Sequence, residues 1–243
     1  MNKFAVFDID GTLFRSGLYR ELFYELDKIG AIPSELAEAT TEKYLQWQHR
    51  AHREAFEDFQ LAIVETIEQY LTQLDVGDYD QAVARVIASQ TNNIYAYTLN
   101  LLRQLQQDGY FTIAISGSQQ EIVEPFAKHY GFDAWVGQKW VRDGANFTGE
   151  IIKTHTDKDK ILQELVDAHH LTFSDSYAVG DTSGDIGILS VVDHPIAFNP
   201  SYGLYQIAQD KGWTIAVERK NISYTLKPVD GVYQLTAADS QQA

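Results

Sequence analysis

A short unbroken apolar run, Phe4-Ala5-Val6-Phe7, ends in two aspartates one residue apart, Asp8 and Asp10, with Gly11 and Thr12 following at once. An apolar run without alternation suits a strand buried on both faces of a parallel sheet. Such a strand delivers two carboxylates to a tight turn at its end. Carboxylates near a core lose solvation unless a cation or hydrogen-bond donors compensate. The pattern therefore points to a divalent metal, with one carboxylate used as a nucleophile. Taken alone, Asp10-Gly11 also fits a simple strand-ending turn; the remaining motifs favour the site.

Three further apolar runs, 112–115, 177–179 and 196–198, predict strands of the same buried kind, and 133–136 predicts a short additional one. Helical patterns separate them. Ile122, Val123, Phe126, Ala127 and Tyr130 share one helical face, and Ser118-Gln119-Gln120-Glu121 fits a capping box at its start. Ile161, Leu162, Leu165 and Val166 form a second apolar stripe after Lys158. Alternating strands and helices predict an α/β fold with a doubly wound, mainly parallel, Rossmann-like sheet. Ligands in such sheets bind beyond the carboxyl ends of the strands, and Asp8, Ser116 and Asp181 all fall at such ends.

Residues 15–92 break the alternation. Leu18, Leu22, Leu26 and Ile29 mark a first helix stopped near Gly30 and Pro33. Phe59, Ile63, Ile67, Tyr70 and Leu74 mark a longer one ending at Gly77, and Ala82, Val83, Val86 and Ile87 suggest a third. The reading is a small helical cap (15–92) inserted in a core formed by 1–14 and 93–235, with 236–243 as a frayed polar tail. A hairpin is expected between Trp140 and Ile152 around Asp143-Gly144. An edge strand is expected at 214–217, and a second hairpin around Asp230-Gly231.

Composition limits the partners. The net charge of −15 opposes binding to nucleic acid or anionic membranes. A bound phosphate must then find local positive charge. No apolar run approaches the ~20 residues that span a bilayer. The first strand begins almost at the N-terminus, so no signal peptide is expected. The absence of cysteine excludes disulfides, thiolate metal sites and cysteine nucleophiles, and is compatible with a cytoplasmic setting.

Four elements carry the chemistry, in this order: Asp8-x-Asp10-Gly11-Thr12, Ser116-Gly117-Ser118, Lys158, and Gly180-Asp181-Thr182-Ser183-Gly184-Asp185. The order resembles the haloacid dehalogenase superfamily of phosphotransferases. The Asp-x-Asp-Gly-Thr form points to its phosphatase branch. The segment Val179 to Asp185, followed by His194-Pro195-Ile196-Ala197-Phe198-Asn199-Pro200, resembles the phosphoserine-phosphatase-like subclass, in which a helical cap follows the first motif. The resemblance implies a Mg²⁺-dependent phosphomonoesterase acting on a small phosphorylated metabolite through a phospho-aspartyl intermediate. Asp8 is then the nucleophile, already ionised at neutral pH from an unperturbed pKa of about 3.9. Asp10 is the general acid and base and must hold a proton part of the time. Asp8, Asp10 (through its backbone carbonyl) and Asp181 are the implied Mg²⁺ ligands, with Asp185 behind them orienting a ligand or Lys158. Thr12, Ser116, Gly117 and Lys158 are the implied phosphate-binding residues.

Several positions keep a plainer reading. Ser116 can simply end a strand, Ser118 can be only a helix cap, and Lys160 competes with Lys158 from two positions away. His49 and His52 have helical spacing but read as surface; so do Arg50 and Arg53. His169-His170 fits the end of a helix. Trp135, Trp140 and Trp213 read as packing. In phosphoserine phosphatases a glutamate closely follows the first motif and helps recognise the substrate amine. Gly17 stands there in this chain, with Glu21 the nearest acid, which argues against phosphoserine itself. A phosphotransferase, a phospho-acceptor signalling domain and a non-catalytic scaffold remain the alternatives.

Overall fold

The computed structural model describes residues 2–154 and 156–240. Strand β1 (Asn2–Phe7) lies inside a nine-stranded sheet, ordered β4-β3-β2-β1-β5-β6-β7-β8-β9. Its neighbours, β2 (Phe111–Gln119) and β5 (Leu171–Gly180), both run parallel to it. Parallel pairing continues outward to β3 (Ala134–Asp143) on one side, and through β6 (His194–Phe198) to β7 (Thr214–Arg219) on the other.

The unalternated run in β1 is buried on both sides. Ala5 and Phe7 belong to one hydrophobic cluster, Phe4 and Val6 to the other. Full burial of each phenylalanine contributes roughly 1.5–3 kcal/mol. The first face is covered by α6 (Ala96–Gln107) and α7 (Gln120–His129), through Leu102, Leu105, Ile122 and Phe126. The second is covered by α8 (Lys158–Ala168), α9 (Ile186–Ser190) and α10 (Tyr202–Lys211), through Leu162, Ile188 and Leu204. The chain leaves β1 toward β2 on one side and returns to β5 on the other. Asp8 therefore sits at the point where winding reverses, the usual ligand crevice of such sheets.

Between β1 and β2 lie five further helices: α1 (Leu18–Lys28), α2 (Ser34–Ala39), α3 (Thr41–Gln48), α4 (Ala55–Tyr70) and α5 (Val76–Gln90). Leu22 and Leu26 of α1, Phe59 and Ile63 of α4, and Tyr79 and Val83 of α5 extend the first cluster beyond the sheet. Trp47 stacks on Phe59 with centroids 5.4 Å apart, closing the far end of this layer. His49 follows α3 directly, while His52 lies in the loop before α4, so the two do not share a helix face.

The 133–136 strand and the 140–152 hairpin merge into one feature. Strand β3 pairs with β2, then folds back onto β4 (Asn146–Ile152) through Asp143-Gly144. Trp140 is buried against Tyr19 and Tyr79, so the hairpin is packed onto the inserted helices.

Three expectations are corrected. Strand β7 is not an edge, because β8 (Ile222–Val229) covers its outer side. Residues 236–240 do not fray but belong to β9 (Val232–Ser240), while 241–243 lie outside the described residues. The polar composition of 236–240 concealed a strand held mainly by backbone pairing, with Asp230 and Gly231 both at positive φ in a two-residue turn. Tyr233 pins β9 by donating to the carbonyls of Ala208 and Trp213. Finally, Ser118 is not a helix cap; it belongs to β2, and α7 starts after Gln119 without a side-chain cap. No helix among the described residues is long and apolar enough to cross a membrane.

Candidate active site

The turn after β1 is tied to the sheet at both ends. The Asp8 N–H donates to the Val179 carbonyl at 2.9 Å, which continues the parallel ladder past the strand. The N–H groups of Thr12, Leu13 and Phe14 all converge on the Ile9 carbonyl. Gly11 has φ +84°, and a Cβ there would lie 2.1 Å from Asp181 Oδ2. Only glycine meets both demands, a left-handed backbone and contact with a carboxylate. Gly11→Ala is expected to displace the Asp181 carboxylate and to cost about 1–3 kcal/mol. Denaturant titration checks this; unchanged stability would contradict it.

Lys158 opens α8 and is buried. Its Nζ donates to Asp8 Oδ1 at 2.6 Å and to Asp185 Oδ1 at 2.7 Å. Lys160 instead pairs with Asp157 on the surface. The second oxygen of Asp185 accepts the N–H groups of Asp181 and Thr182 at 3.1 and 3.0 Å. Gly180 makes room for it, since a Cβ there would fall 2.4 Å from Asp185 Cβ. Both oxygens of Asp185 are thus engaged in orienting Lys158 and the Asp181 loop.

Asp10 is surrounded by donors. Its Oδ2 accepts from Ser116 Oγ at 2.6 Å and Ser118 Oγ at 2.8 Å, and its Oδ1 accepts the Leu18 N–H at the start of α1. Ser118 Oγ in turn accepts the Tyr19 N–H at 3.0 Å. Asp10 and Ser118 therefore tie α1 to two strand ends. The sequence places Ser118 in the Ser116-Gly117-Ser118 element but gives it no individual role beyond a helix cap. The usable signal was its two-residue spacing from Ser116, which puts both hydroxyls on one side of an extended strand.

Two residues expected at the phosphate have hydroxyls that bond within the protein. The Thr12 hydroxyl is fully buried and donates to Asp181 Oδ1 at 3.3 Å, and its N–H is taken by Ile9. It thereby steadies the Asp181 carboxylate. The Ser116 hydroxyl is likewise engaged, donating to Asp10 and accepting the Ser118 N–H. Both expectations come from the family resemblance, which does not specify where a short hydroxyl points.

The electrostatics are dominated by crowded anions. Burial pushes Asp8 up to about 7, with Asp185 and Asp10 adding to the rise and Lys158 opposing it. Burial, helped by Asp8 and Asp185, also holds Asp181 well above the usual carboxylate range. Burial works against the Lys158 charge, but Asp185 and Asp8 outweigh it and raise its pKa. Asp8 Oδ2 is buried with no hydrogen-bond partner. Oxygens of Asp8, Asp181 and Asp185 lie within 4.8 Å of one another. An all-oxygen set with one unpartnered buried carboxylate oxygen fits a hard divalent cation.

Asp8 and Asp181, with Lys158, lie at a cavity of about 430 Å³. Asp8, Asp10, Gly117, Lys158 and Asp181 line it from the sheet side, and Tyr19, Arg20, Gln60 and Val64 from the inserted helices. Arg50 and Arg53 are not among the lining residues; Arg53 instead lies 4.0 Å over the ring of Tyr202.

The family model of haloacid dehalogenase-like hydrolases matches residues 5–190, and the chain belongs to that family. Among curated relatives, it is 29% identical over 160 residues to the inhibition of morphological differentiation protein of Streptomyces azureus, covering 63% of this chain and 58% of that protein. It is 25% identical over 224 residues to a histidinol-phosphatase of Neisseria meningitidis, covering 88% of this chain and 98% of that one. A solved protein of unknown function from Bordetella pertussis Tohama I superposes with a TM-score of 0.68 at 18% identity, over 88% of this chain and 98% of that one. A phospho-aspartyl intermediate analogue of phosphoserine phosphatase superposes with a TM-score of 0.62 at 20% identity, over 90% of this chain and 94% of that one. These two likenesses establish the shared fold.

Proposed function

We propose that this hydrolase is a Mg²⁺-dependent phosphomonoesterase that takes a phosphoryl group from a small phosphorylated metabolite onto Asp8. One observation carries the reading: a buried carboxylate oxygen, Asp8 Oδ2, has no partner at the floor of a cavity that also holds Lys158 and Asp181. An unsatisfied buried acceptor is costly, and such groups accumulate where chemistry uses them.

In the proposed reaction the Asp8 carboxylate attacks phosphorus, an O–P bond to Asp8 forms, and the ester O–P bond breaks. Asp10 gives a proton to the departing alcohol oxygen. It then takes a proton from water as that water attacks the same phosphorus, breaking the bond to Asp8 and freeing inorganic phosphate. The serine hydroxyls and the Leu18 N–H hold the Asp10 carboxylate in place for both transfers. Lys158 and the Gly117 backbone would stabilise the phosphoryl oxygens. Asp8, Asp181 and the Asp10 carbonyl would hold Mg²⁺, with Asp185 fixing Lys158 and the Asp181 loop. The metal supplies positive charge against the carboxylates and the incoming phosphate. The proposal includes the division into a core (1–14 and 93–235) and a cap (15–92), since the cavity takes walls from both. It also includes a cytoplasmic setting, in keeping with a cysteine-free chain.

Metal and pH test this together. Folded Asp8 keeps its proton up to about 7, whereas its ordinary value is 3.8. Without metal, the stability due to that proton is present below about 3.8 and is lost as pH rises to about 7, because the unfolded chain releases the proton first. Mg²⁺ needs the deprotonated carboxylate, so its apparent affinity should fall by up to about tenfold per pH unit below 7. The Mg²⁺-induced rise in Tm is therefore expected to grow between about pH 5 and pH 8. Hydrolysis in a phosphate-ester panel should vanish with a chelator and return with Mg²⁺. Failure of every ester in the presence of Mg²⁺ would refute the proposal.

A further inference from the structure

Three cations line the cavity among the described residues, and only one lacks a carboxylate partner. Lys158 pairs with Asp8 and Asp185, and Lys153 pairs with Glu68 at 3.0 Å. Arg20, on the first cap helix, makes no ion pair; its Nη2 donates to Ser16 Oγ at 2.6 Å, and its buried Nη1 has no partner. The guanidinium lies 5.5 Å from the ring centroid of Trp47 and 6.0 Å from that of Phe56. Those rings fix its position and shield it without supplying an acceptor. Arg20 also borders a second cavity, of about 650 Å³, whose walls carry Asp27 and Glu38, yet neither pairs with it.

The sheet side presents a matching deficit. Gln138 of β3 lines the same cavity, is 2% exposed, and its Nε2 has no partner. Away from Asp8, the unsatisfied polar atoms of the lining residues are thus two N–H donors, one on each wall. A buried donor left unpaired is costly, and an unpaired guanidinium more so. In a chain of net charge −15, a cation that passes over every carboxylate is available to an incoming anion. Glu57, at the rim, is exposed, where solvent screens it.

We propose that Arg20 and Gln138 select the leaving group: the substrate is a phosphate monoester whose alcohol portion carries a second anionic oxygen group, a carboxylate or a phosphate. This rests on the phosphomonoesterase reading and specifies the substrate class of that site. Arg20 takes the anion, in the fork geometry that suits both groups, and the Gln138 amide donates to another oxygen of the same portion.

The test compares three phosphate esters of similar size, differing in whether the alcohol portion is neutral, carboxylated or phosphorylated, with Mg²⁺ at fixed ionic strength. The wild-type protein should prefer at least one anionic ester over the neutral one by about tenfold or more in kcat/KM, mainly through KM. The favoured arm identifies which anion is recognised. Arg20→Gln should reduce that ratio to about threefold or less, and Arg20→Lys should restore part of it. Gln138→Leu, on the other wall, should lower the ratio independently, so the test survives if an Arg20 variant misfolds. A merely structural role would change the rates of all three esters together and leave the ratio intact. Hydrolysis of all three without preference, or a ratio retained in Arg20→Gln, overturns this inference while leaving the phosphomonoesterase reading standing. Hydrolysis of none overturns both.

Discussion

Asp8→Asn is expected to lower kcat/KM for every phosphate ester by at least about 10⁴-fold, the scale seen when a covalent nucleophile is removed. At 1.36 kcal/mol per decade that is about 5 kcal/mol of lost transition-state stabilisation. The variant should still fold. Asparagine keeps the shape of the side chain, and Lys158 keeps Asp185 as a partner at 2.7 Å. Removing a buried carboxylate whose pKa is pushed up to about 7 also relieves crowding with Asp185 and Asp10. A folded, inactive protein is therefore the expected pair of results, read by steady-state kinetics and circular dichroism. Turnover within about tenfold of wild type would remove Asp8 from the chemistry.

Lys158→Met should act in the opposite sense, on the fold as much as on the rate. The buried Lys158 ammonium offsets two carboxylates, Asp8 and Asp185, at 2.6 and 2.7 Å. Breaking a buried ion pair from one side leaves uncompensated charge and costs about 3–5 kcal/mol. For a chain of this size each kcal/mol lowers Tm by about 2–4 °C, so a fall of roughly 6–20 °C is expected near neutral pH. The loss should shrink toward pH 5, where Asp8 takes up a proton and less charge remains unpaired. Adding Asp185→Asn to the variant should recover part of the stability, since the pair then loses both charges. Denaturant unfolding checks this; a change below about 1 kcal/mol would mean that the cluster is hydrated and screened.

The sheet was legible because its signal is simple. Runs such as Phe4 to Phe7 must be buried on both faces, and Asp8, Ser116 and Asp181 follow three such runs directly. Strand-end position therefore brought together groups as far apart in sequence as Asp8 and Asp181, while Lys158, at the start of a helix, came from the family resemblance. It did not give side-chain direction. The bonds from Thr12 to Asp181 and from Ser116 to Asp10 are specified by no strand-end argument. Ser118 was hidden by a capping pattern that the chain does not use. Arg20 carries no motif; only the packing of α1 against Trp47 and the cavity shows that its charge lacks a carboxylate. The end of β9 was unreadable for another reason, since its exposed residues are held by backbone bonds that composition does not record.

The central claim is that a phosphoryl group passes through Asp8. Rapid acid quench during turnover with Mg²⁺, followed by proteolysis and mass spectrometry, reads this directly. A phosphoryl group on the peptide containing Asp8, formed before phosphate release and absent from Asp8→Asn, is the expected result. Turnover at full rate with Asp8 unmodified at every quench time, or a phosphoryl group on another residue, would contradict the account.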